Sequence, residues 1–190
     1  MVKFICIKPA EYKLATSQFT ILYGQHECPF GKCLIAVTSS EKAVCHLRFV
    51  DNDLKERIET LKSEWPGAKF IEETKESEKA VKRVFSYKDM ENVTVYLKGT
   101  DFQLQVLKAL VKLPKGKTVG YEYVAELINN PKAIRAIAKT INSNQIAFII
   151  PCHRVLSKSG PPKTCWRTDK RDIMLEYERK LYGIDDKEKD

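Results

Sequence analysis

A cysteine followed at once by a histidine closes the apolar stretch Ile149-Ile150-Pro151-Cys152-His153-Arg154-Val155. A thiol is a soft nucleophile once deprotonated, and a neighbouring base and cation are what hold it as thiolate. The run Ala147-Phe148-Ile149-Ile150 reads as a buried strand or extended segment, and Pro151 neither continues a helix nor donates a ladder bond, so the chain turns at Cys152. A rigid, partly dry position of this kind suits covalent chemistry. The plainer reading is a packed small hydrophobe beside a polar neighbour.

A second group of thiols and imidazoles, Cys6, His26, Cys28, Cys33, Cys45 and His46, falls in the first quarter of the chain. Structural zinc sites show compact Cys-x-x-Cys pairs matched by a second pair, whereas Cys28 and Cys33 stand further apart and their partners are scattered. The spacing argues against structural zinc in this half without closing it off. The alternative makes Cys33 and Cys45 buried strand residues and Cys6 and Cys28 ordinary reduced thiols.

Residues with these duties need a core and a compartment. The 190 residues, 31% charged and 43% apolar, suit a protein of two small domains. No apolar run is long enough to cross a bilayer, and Met1 to Pro9 lacks the apolar core and small-residue cleavage site of a signal peptide. An intracellular protein is expected, whose six cysteines stay reduced with at least one open to reaction. The net charge of +8 invites an anionic partner, nucleic acid being the commonest, although a lysine-rich solvated surface has the same charge.

Residues 1–98 read as an N-terminal mixed domain. Phe19 to Tyr23, Lys32 to Val37 and Ala43 to Phe49 have the β-branched and aromatic character of strands and suggest a small antiparallel sheet. Asp51 to Leu61 reads as a helix capped by Asp51 or Asp53, ended by Trp65-Pro66-Gly67; Ser77 to Phe85 reads as another, and Val93 to Leu97 as a further strand.

From Gly99 the signals sharpen. Thr100 and Gln103 form a capping box for a helix with a stripe of Phe102, Val106, Ala109, Leu110 and Leu113, closed by Pro114-Lys115-Gly116. A segment from Tyr121 to Asn129, with Val124, Leu127 and Ile128 inward, precedes a helix from Lys132 to Ile141 that Asn130 caps and Pro131 starts. Two short helices joined by a tight turn make a helix-turn-helix. Its second helix combines small Ala133 and Ala136, anchors Ile134, Ile137 and Ile141, and the cations Lys132, Arg135 and Lys139. That composition suits a nucleic acid groove, and equally a plain amphipathic helix. A loop from Ser157 to Lys163 follows the cysteine stretch. A last helix, capped by Thr168 or Asp169, turns Ile173, Met174, Tyr177 and Leu181 inward and Glu176, Arg179 and Lys180 to water, with Gly183 as its stop and residues 184–190 as a disordered tail. Glu178 lies beside the stripe, either exposed or turned inward onto a histidine.

From Gly99 to Gly183 the chain resembles the O6-alkylguanine-DNA alkyltransferases, and more loosely upstream. Gly99-Thr-Asp-Phe-Gln, Val119-Gly-Tyr-Glu-Tyr-Val-Ala-Glu-Leu, Asn130-Pro-Lys-Ala-Ile-Arg-Ala, Asn144 and Ile149-Ile-Pro-Cys-His-Arg-Val occur in family order, with family spacing from Phe102 to Val155. Phe30-Gly31-Lys32-Cys33-Leu34 and Cys45-His46-Leu47-Arg48-Phe49 resemble the family too and favour the core reading of Cys33 and Cys45.

The resemblance implies an α+β protein whose N-terminal domain is ribonuclease H-like, with flanking helices, and whose C-terminal domain, residues 99–183, is mostly helical, winged-helix-like and carries the helix-turn-helix. It implies irreversible transfer of an alkyl group from O6 of guanine, or O4 of thymine, to Cys152, once per molecule and without a cofactor. His153 takes the thiol proton through a water, Glu178 orients that histidine, Tyr121 protonates the leaving base and Asn144 holds the turn. The nucleotide is flipped out with the helix-turn-helix in the minor groove of double-stranded DNA. Arg135 fills the vacated stack, Ala133 permits close approach, and Lys132, Lys139 and Tyr121 complete the DNA-binding surface. Phe102, Ile141, Pro151, Val155, Cys165 and Trp166 line the alkyl pocket. A monomer in cytoplasm or nucleus is implied. The chain departs from the family at Thr164-Cys165-Trp166-Arg167, where glycines are usual, and this puts the range of alkyl groups in question.

Two other classes share some features. A cysteine hydrolase needs an oxyanion hole and a histidine distant in sequence, whereas His153 is adjacent. A non-enzymatic lesion-binding or regulatory protein shares the charge and the helix-turn-helix, but has no use for Cys152 with His153 and Glu178.

Overall fold

The structure, a computed structural model, describes residues 2–51, 53–86, 92–157 and 168–184, the side chains of 168 and 169 left aside. The expected loop residues Cys165 and Trp166, and the tail from residue 185, lie outside the described residues. The chain forms two compact units: Met1–Leu104 with Gln145–Ile149, and Gln105–Asn144 with Ile150–Asp190.

The first unit is built on a sheet of six strands: β1 (Lys3–Ile7), β2 (Thr20–Cys28), β3 (Gly31–Thr38), β4 (Val44–Phe49), β5 (Lys69–Glu72) and β6 (Thr94–Lys98), ordered β1-β6-β4-β3-β2-β5. The small antiparallel sheet expected from sequence is thus corrected to a mixed one. The consecutive β2, β3 and β4 are antiparallel, but β5 runs parallel to β2, and β6 parallel to both β1 and β4. Parallel pairing needs crossovers, supplied here by helices α1 (Pro9–Ala15), α2 (Leu54–Glu64) and α3 (Thr74–Val84). Asp53 caps α2 by accepting the Glu56 amide at 3.0 Å, as its sequence position suggests, a bond worth about 1 kcal/mol. Glu73 caps α3, so that helix begins at Thr74 rather than Ser77.

β3 and β4 are buried almost throughout, which explains the unbroken run Cys33-Leu34-Ile35-Ala36-Val37. Tyr12, Ile21, Leu34, Cys45, Leu61, Trp65 and Tyr96 share one core. Cys33 and Cys45 belong to the buried strands, and the Cys45 thiol is pushed up by burial and then by Glu64. His46 and Arg48 alternate with them along β4, and each is partnered: His46 Nδ1 with Glu64 at 2.9 Å, Arg48 with the side-chain oxygen of Gln145 at 2.8 Å.

Residues 145–149 hold to β4. The Leu47 amide donates to the Gln145 carbonyl at 2.9 Å and the Ala147 amide to the Leu47 carbonyl at 2.9 Å. This is one bridge, and neither a strand nor an unbroken extended segment, the two readings the sequence allowed, runs over Ala147 to Ile150. The strand fails because Phe148 is left-handed, with φ of 64°, its ring packed on Phe30 and Phe85.

The second unit takes up α4 (Asp101–Leu110) from Gln105 onward, then β7 (Val119–Gly120), α5 (Tyr121–Leu127), α6 (Ile134–Asn142), a 3-10 turn at Cys152–Arg154, β8 (Val155–Leu156) and α7 (Thr168–Tyr182). The Thr100–Gln103 capping box forms in both directions, at 2.9 and 3.3 Å. α6 starts two residues later than expected, because Asn129 is left-handed and the Asn130 amide reaches back to the Ala125 carbonyl at 2.9 Å. That Schellman turn spends Asn130 on ending α5, and Ala133, not Asn130, precedes α6. Leu127 and Ile173, expected inward, are exposed, while Leu175 is buried. No helix of the described residues is long and apolar enough to cross a membrane.

Candidate active site

The cysteine turn is built by local backbone geometry. Pro151 sits at φ −81°, ψ 64°, and the Cys152 amide donates to the Ile150 carbonyl at 2.8 Å, an inverse γ-turn that proline's fixed φ favours. The Arg154 amide then closes the 3-10 turn on the Pro151 carbonyl at 3.1 Å. Asn144 braces both sides: its side-chain amide donates to the Ile150 carbonyl at 3.0 Å and points at Cys152 Sγ at 3.4 Å. Cys152, His153, Arg154 and Asn144 are all buried.

His153 Nε2 meets Glu178 Oε1 of α7 at 2.7 Å, which settles the inward orientation of Glu178. The carboxylate is more heavily partnered than that pair alone. Arg154 Nε donates to its two oxygens at 3.2 and 2.9 Å, Arg154 Nη2 to Oε1 at 2.8 Å, and the Gly116 amide to Oε2 at 2.9 Å. Burial pushes the carboxyl up, but hydrogen bonds and charge from His153 and Arg154 outweigh it and hold Glu178 at about 2. Burial, against the pull of Glu178, lowers His153 and leaves the imidazole neutral. Gly116 serves the turn at φ 67°, where a Cβ would stand 2.9 Å from Arg179 Cγ. Arg179, expected in water, donates to the Gly116 carbonyl at 3.0 Å.

Tyr121 opens α5 and is buried; burial and then the Cys152 charge push its phenol up, so it stays protonated. It directly follows β7, whose Val119 and Gly120 pair in parallel with Val155 and Leu156 just beyond the cysteine turn. α6 packs against α5, burying Ile137, Thr140 and Ile141. Lys132, Arg135, Ala136 and Lys139 remain exposed and Ala133 half-buried, with no acidic residue on the helix.

Of the expected pocket residues, Ile141, Pro151 and Val155 are buried in the second unit, while half-buried Phe102 lies in the first. An open cavity of about 510 Å³ is lined by other residues of the second unit, among them Glu122, Tyr123, Glu126 and Leu156. Among the described residues no group of three or more His, Cys, Asp or Glu is arranged to hold a metal ion. Sequence reasoning gave Arg154 no part, although an arginine next to a candidate histidine and a buried carboxylate was the available signal.

A family model described as the DNA binding domain of 6-O-methylguanine DNA methyltransferase matches residues 101–180. The chain is 39% identical over 141 residues to the methylated-DNA--protein-cysteine methyltransferase of Methanosarcina barkeri, covering 73% of this chain and 84% of that protein. The chain belongs to the methylated-DNA--protein-cysteine methyltransferase family. Within the family's wider relations, the bifunctional transcriptional activator/DNA repair enzyme Ada of Escherichia coli is 32% identical over 79% of this chain, but the chain spans only 43% of its length. The crystal structure of Mycobacterium tuberculosis O6-methylguanine methyltransferase shares the fold at a TM-score of 0.63 and 26% identity, covering 87% of this chain and 96% of that one. The Mycobacterium tuberculosis protein in complex with DNA has a TM-score of 0.61 at 25% identity, over 84% and 94% of the two chains. The methyltransferase fold is therefore α+β with a mixed sheet.

Proposed function

We propose that this methyltransferase family member repairs duplex DNA by moving an alkyl group from O6 of guanine, or O4 of thymine, directly and irreversibly to Cys152. The observation that carries the reading is the Cys152 turn itself, with Asn144 at 3.4 Å from the sulfur and the adjacent His153 held at 2.7 Å on an ionised Glu178. Since Nε2 faces Glu178, the thiol proton passes through a water to His153 Nδ1, and the Asn144 amide steadies the sulfur. The thiolate forms a bond to the alkyl carbon as the carbon–O6 bond breaks. The electron pair leaves on the purine, which takes a proton from the Tyr121 hydroxyl. A thioether does not hydrolyse, so each molecule acts once and needs no cofactor.

Access to O6 requires the nucleotide to leave the stack. Helix α6 and the residues just before it support this: exposed Arg135 enters the vacated position, half-buried Ala133 allows close approach in the minor groove, and exposed Lys132 and Lys139 neutralise phosphates. Of the residues assigned to the alkyl pocket, buried Ile141, Pro151 and Val155 of the second unit carry this part of the proposal. Residues 99–183 carry the chemistry as a winged-helix-like domain, and residues 1–98 form a ribonuclease H-like one. The strand order β4-β3-β2-β5, three antiparallel strands with a fourth parallel to the first, supports the latter. The protein works as an intracellular monomer, in cytoplasm or nucleus.

Intact mass after incubation with a duplex containing O6-methylguanine tests the proposal. A gain of about one methylene, saturating at one per molecule and abolished in Cys152→Ala, is expected. Retained duplex binding with unchanged mass refutes transfer and leaves a lesion-binding protein.

A further inference from the structure

Among the described residues of the second unit, Arg154 is a buried cation with several hydrogen bonds, and the reaction above assigns it nothing. Three of its nitrogens are committed: Nε and Nη2 fork onto both oxygens of Glu178, and Nη1 donates to the Leu113 carbonyl at 2.7 Å. With the Gly116 amide on Oε2, the carboxylate is pinned from two sides and cannot rotate away from His153. An ionised carboxylate only accepts hydrogen bonds, so the nitrogen that meets it must carry the proton. In a neutral imidazole the other nitrogen is then an acceptor.

We propose that Arg154 is a positioning residue for the alkyl transfer: by clamping Glu178 it fixes His153 as the Nε2–H tautomer, with Nδ1 as the base. The inference rests on the transfer reading given above, which makes His153 that base. The guanidinium has a second effect, because it cancels the charge of Glu178 within a buried cluster. A carboxylate alone beside His153 would draw a second proton onto the ring, and a doubly protonated imidazole cannot accept one from the thiol. Among the described residues, the charged groups that act on this histidine are Arg154 on its own turn and Glu178 from α7, with the Gly116 amide acting by way of that carboxylate. Removing Arg154 takes away the one cation of that set.

The test compares the full chain with Arg154→Met and Arg154→Lys. The His153 ring is titrated by NMR in the absence of DNA, and single-turnover transfer from an O6-methylguanine duplex is followed by mass across pH. In Arg154→Met the His153 midpoint should rise by about one pH unit, and the acid limb of the transfer rate should rise with it, an approximately tenfold slower transfer at the acid end. Arg154→Lys keeps the cation but not the planar fork, so its midpoint should stay near the wild-type value while transfer slows at every pH. A folded Arg154→Met protein whose His153 midpoint does not move overturns the proposal. If that variant does not fold, Glu178→Gln with Arg154→Met removes both charges together. Its midpoint should then fall to the wild-type value or below, and a midpoint raised above wild type overturns the proposal. Should wild-type protein take up no methyl group, the transfer reading fails, while the NMR titration still decides what Arg154 does to His153.

Discussion

Replacing Glu178 by Gln converts the buried ion cluster into a measurable dependence of stability on pH. The Glu178 carboxyl is held at about 2 against an ordinary value of 4.5, because His153 and Arg154 together overcome the burial that would raise it. The unfolded chain therefore binds a proton more readily than the folded one. The stabilisation is complete above the unfolded value and is lost as pH falls toward the folded value. At about 1.4 kcal/mol per unit this amounts to roughly 3 kcal/mol, of which about 2 kcal/mol should disappear between pH 5 and pH 3. His153 adds in the same direction, since burial favours its neutral form in the folded state and acidification opposes it. Glutamine does not titrate. At pH 7 the variant leaves Arg154 buried opposite a neutral amide and should be about 3 to 5 kcal/mol less stable than the wild type. Urea unfolding followed by tryptophan fluorescence at pH 7, 5 and 3 gives both stabilities. The gap should narrow by about 2 kcal/mol on acidification. A gap that stays constant with pH refutes the ionised, clamped carboxylate.

Three further outcomes follow from the same geometry. Asn144→Ala leaves the Ile150 carbonyl without its side-chain donor and should cost about 1 to 3 kcal/mol by thermal unfolding, with slower uptake of the methyl group by mass. Gly116→Ala forces a left-handed alanine against Arg179 and should cost about 1 to 2 kcal/mol, with the His153 ring resonance displaced because the Glu178 clamp shifts. Lys132→Gln with Lys139→Gln should weaken duplex binding equally on any sequence and flatten the dependence of log affinity on log salt by about 2, measured by fluorescence anisotropy; an unchanged slope removes these lysines from the phosphate contacts.

Local chemistry was readable in the sequence wherever one short segment decides the outcome. The Thr100–Gln103 box, the Asp53 cap and the strands expected over Lys32 to Val37 and Ala43 to Phe49 formed, to within a residue at each end, as their residue types require. What escaped reading depends on distant partners or on competition within a turn. β1 pairs with β6 across most of the first unit, and β5 is four residues long with only Phe70 shielded, so neither leaves a strong local pattern. Asn130 suits a helix cap, yet the preceding helix claims its amide first. Phe148 has the side chain of a strand residue but a backbone set by the aromatic rings around it. Glu178 was ambiguous for the same reason: a glutamate on a helix is normally solvated, and His153, Arg154 and Gly116, distant in the chain, make its burial tolerable.

The two register pairs of β7 with β8 have a consequence for how such a protein can change. Val119–Gly120 ends immediately before Tyr121, and Val155–Leu156 begins immediately after Arg154, so this short ladder ties the start of α5 to the end of the cysteine turn, and with them the residues we propose as proton donor and nucleophile. Substitutions that leave this ladder intact therefore keep the pair we propose to react at its spacing, so changes in what the protein accepts can be sought elsewhere in the chain without disturbing it.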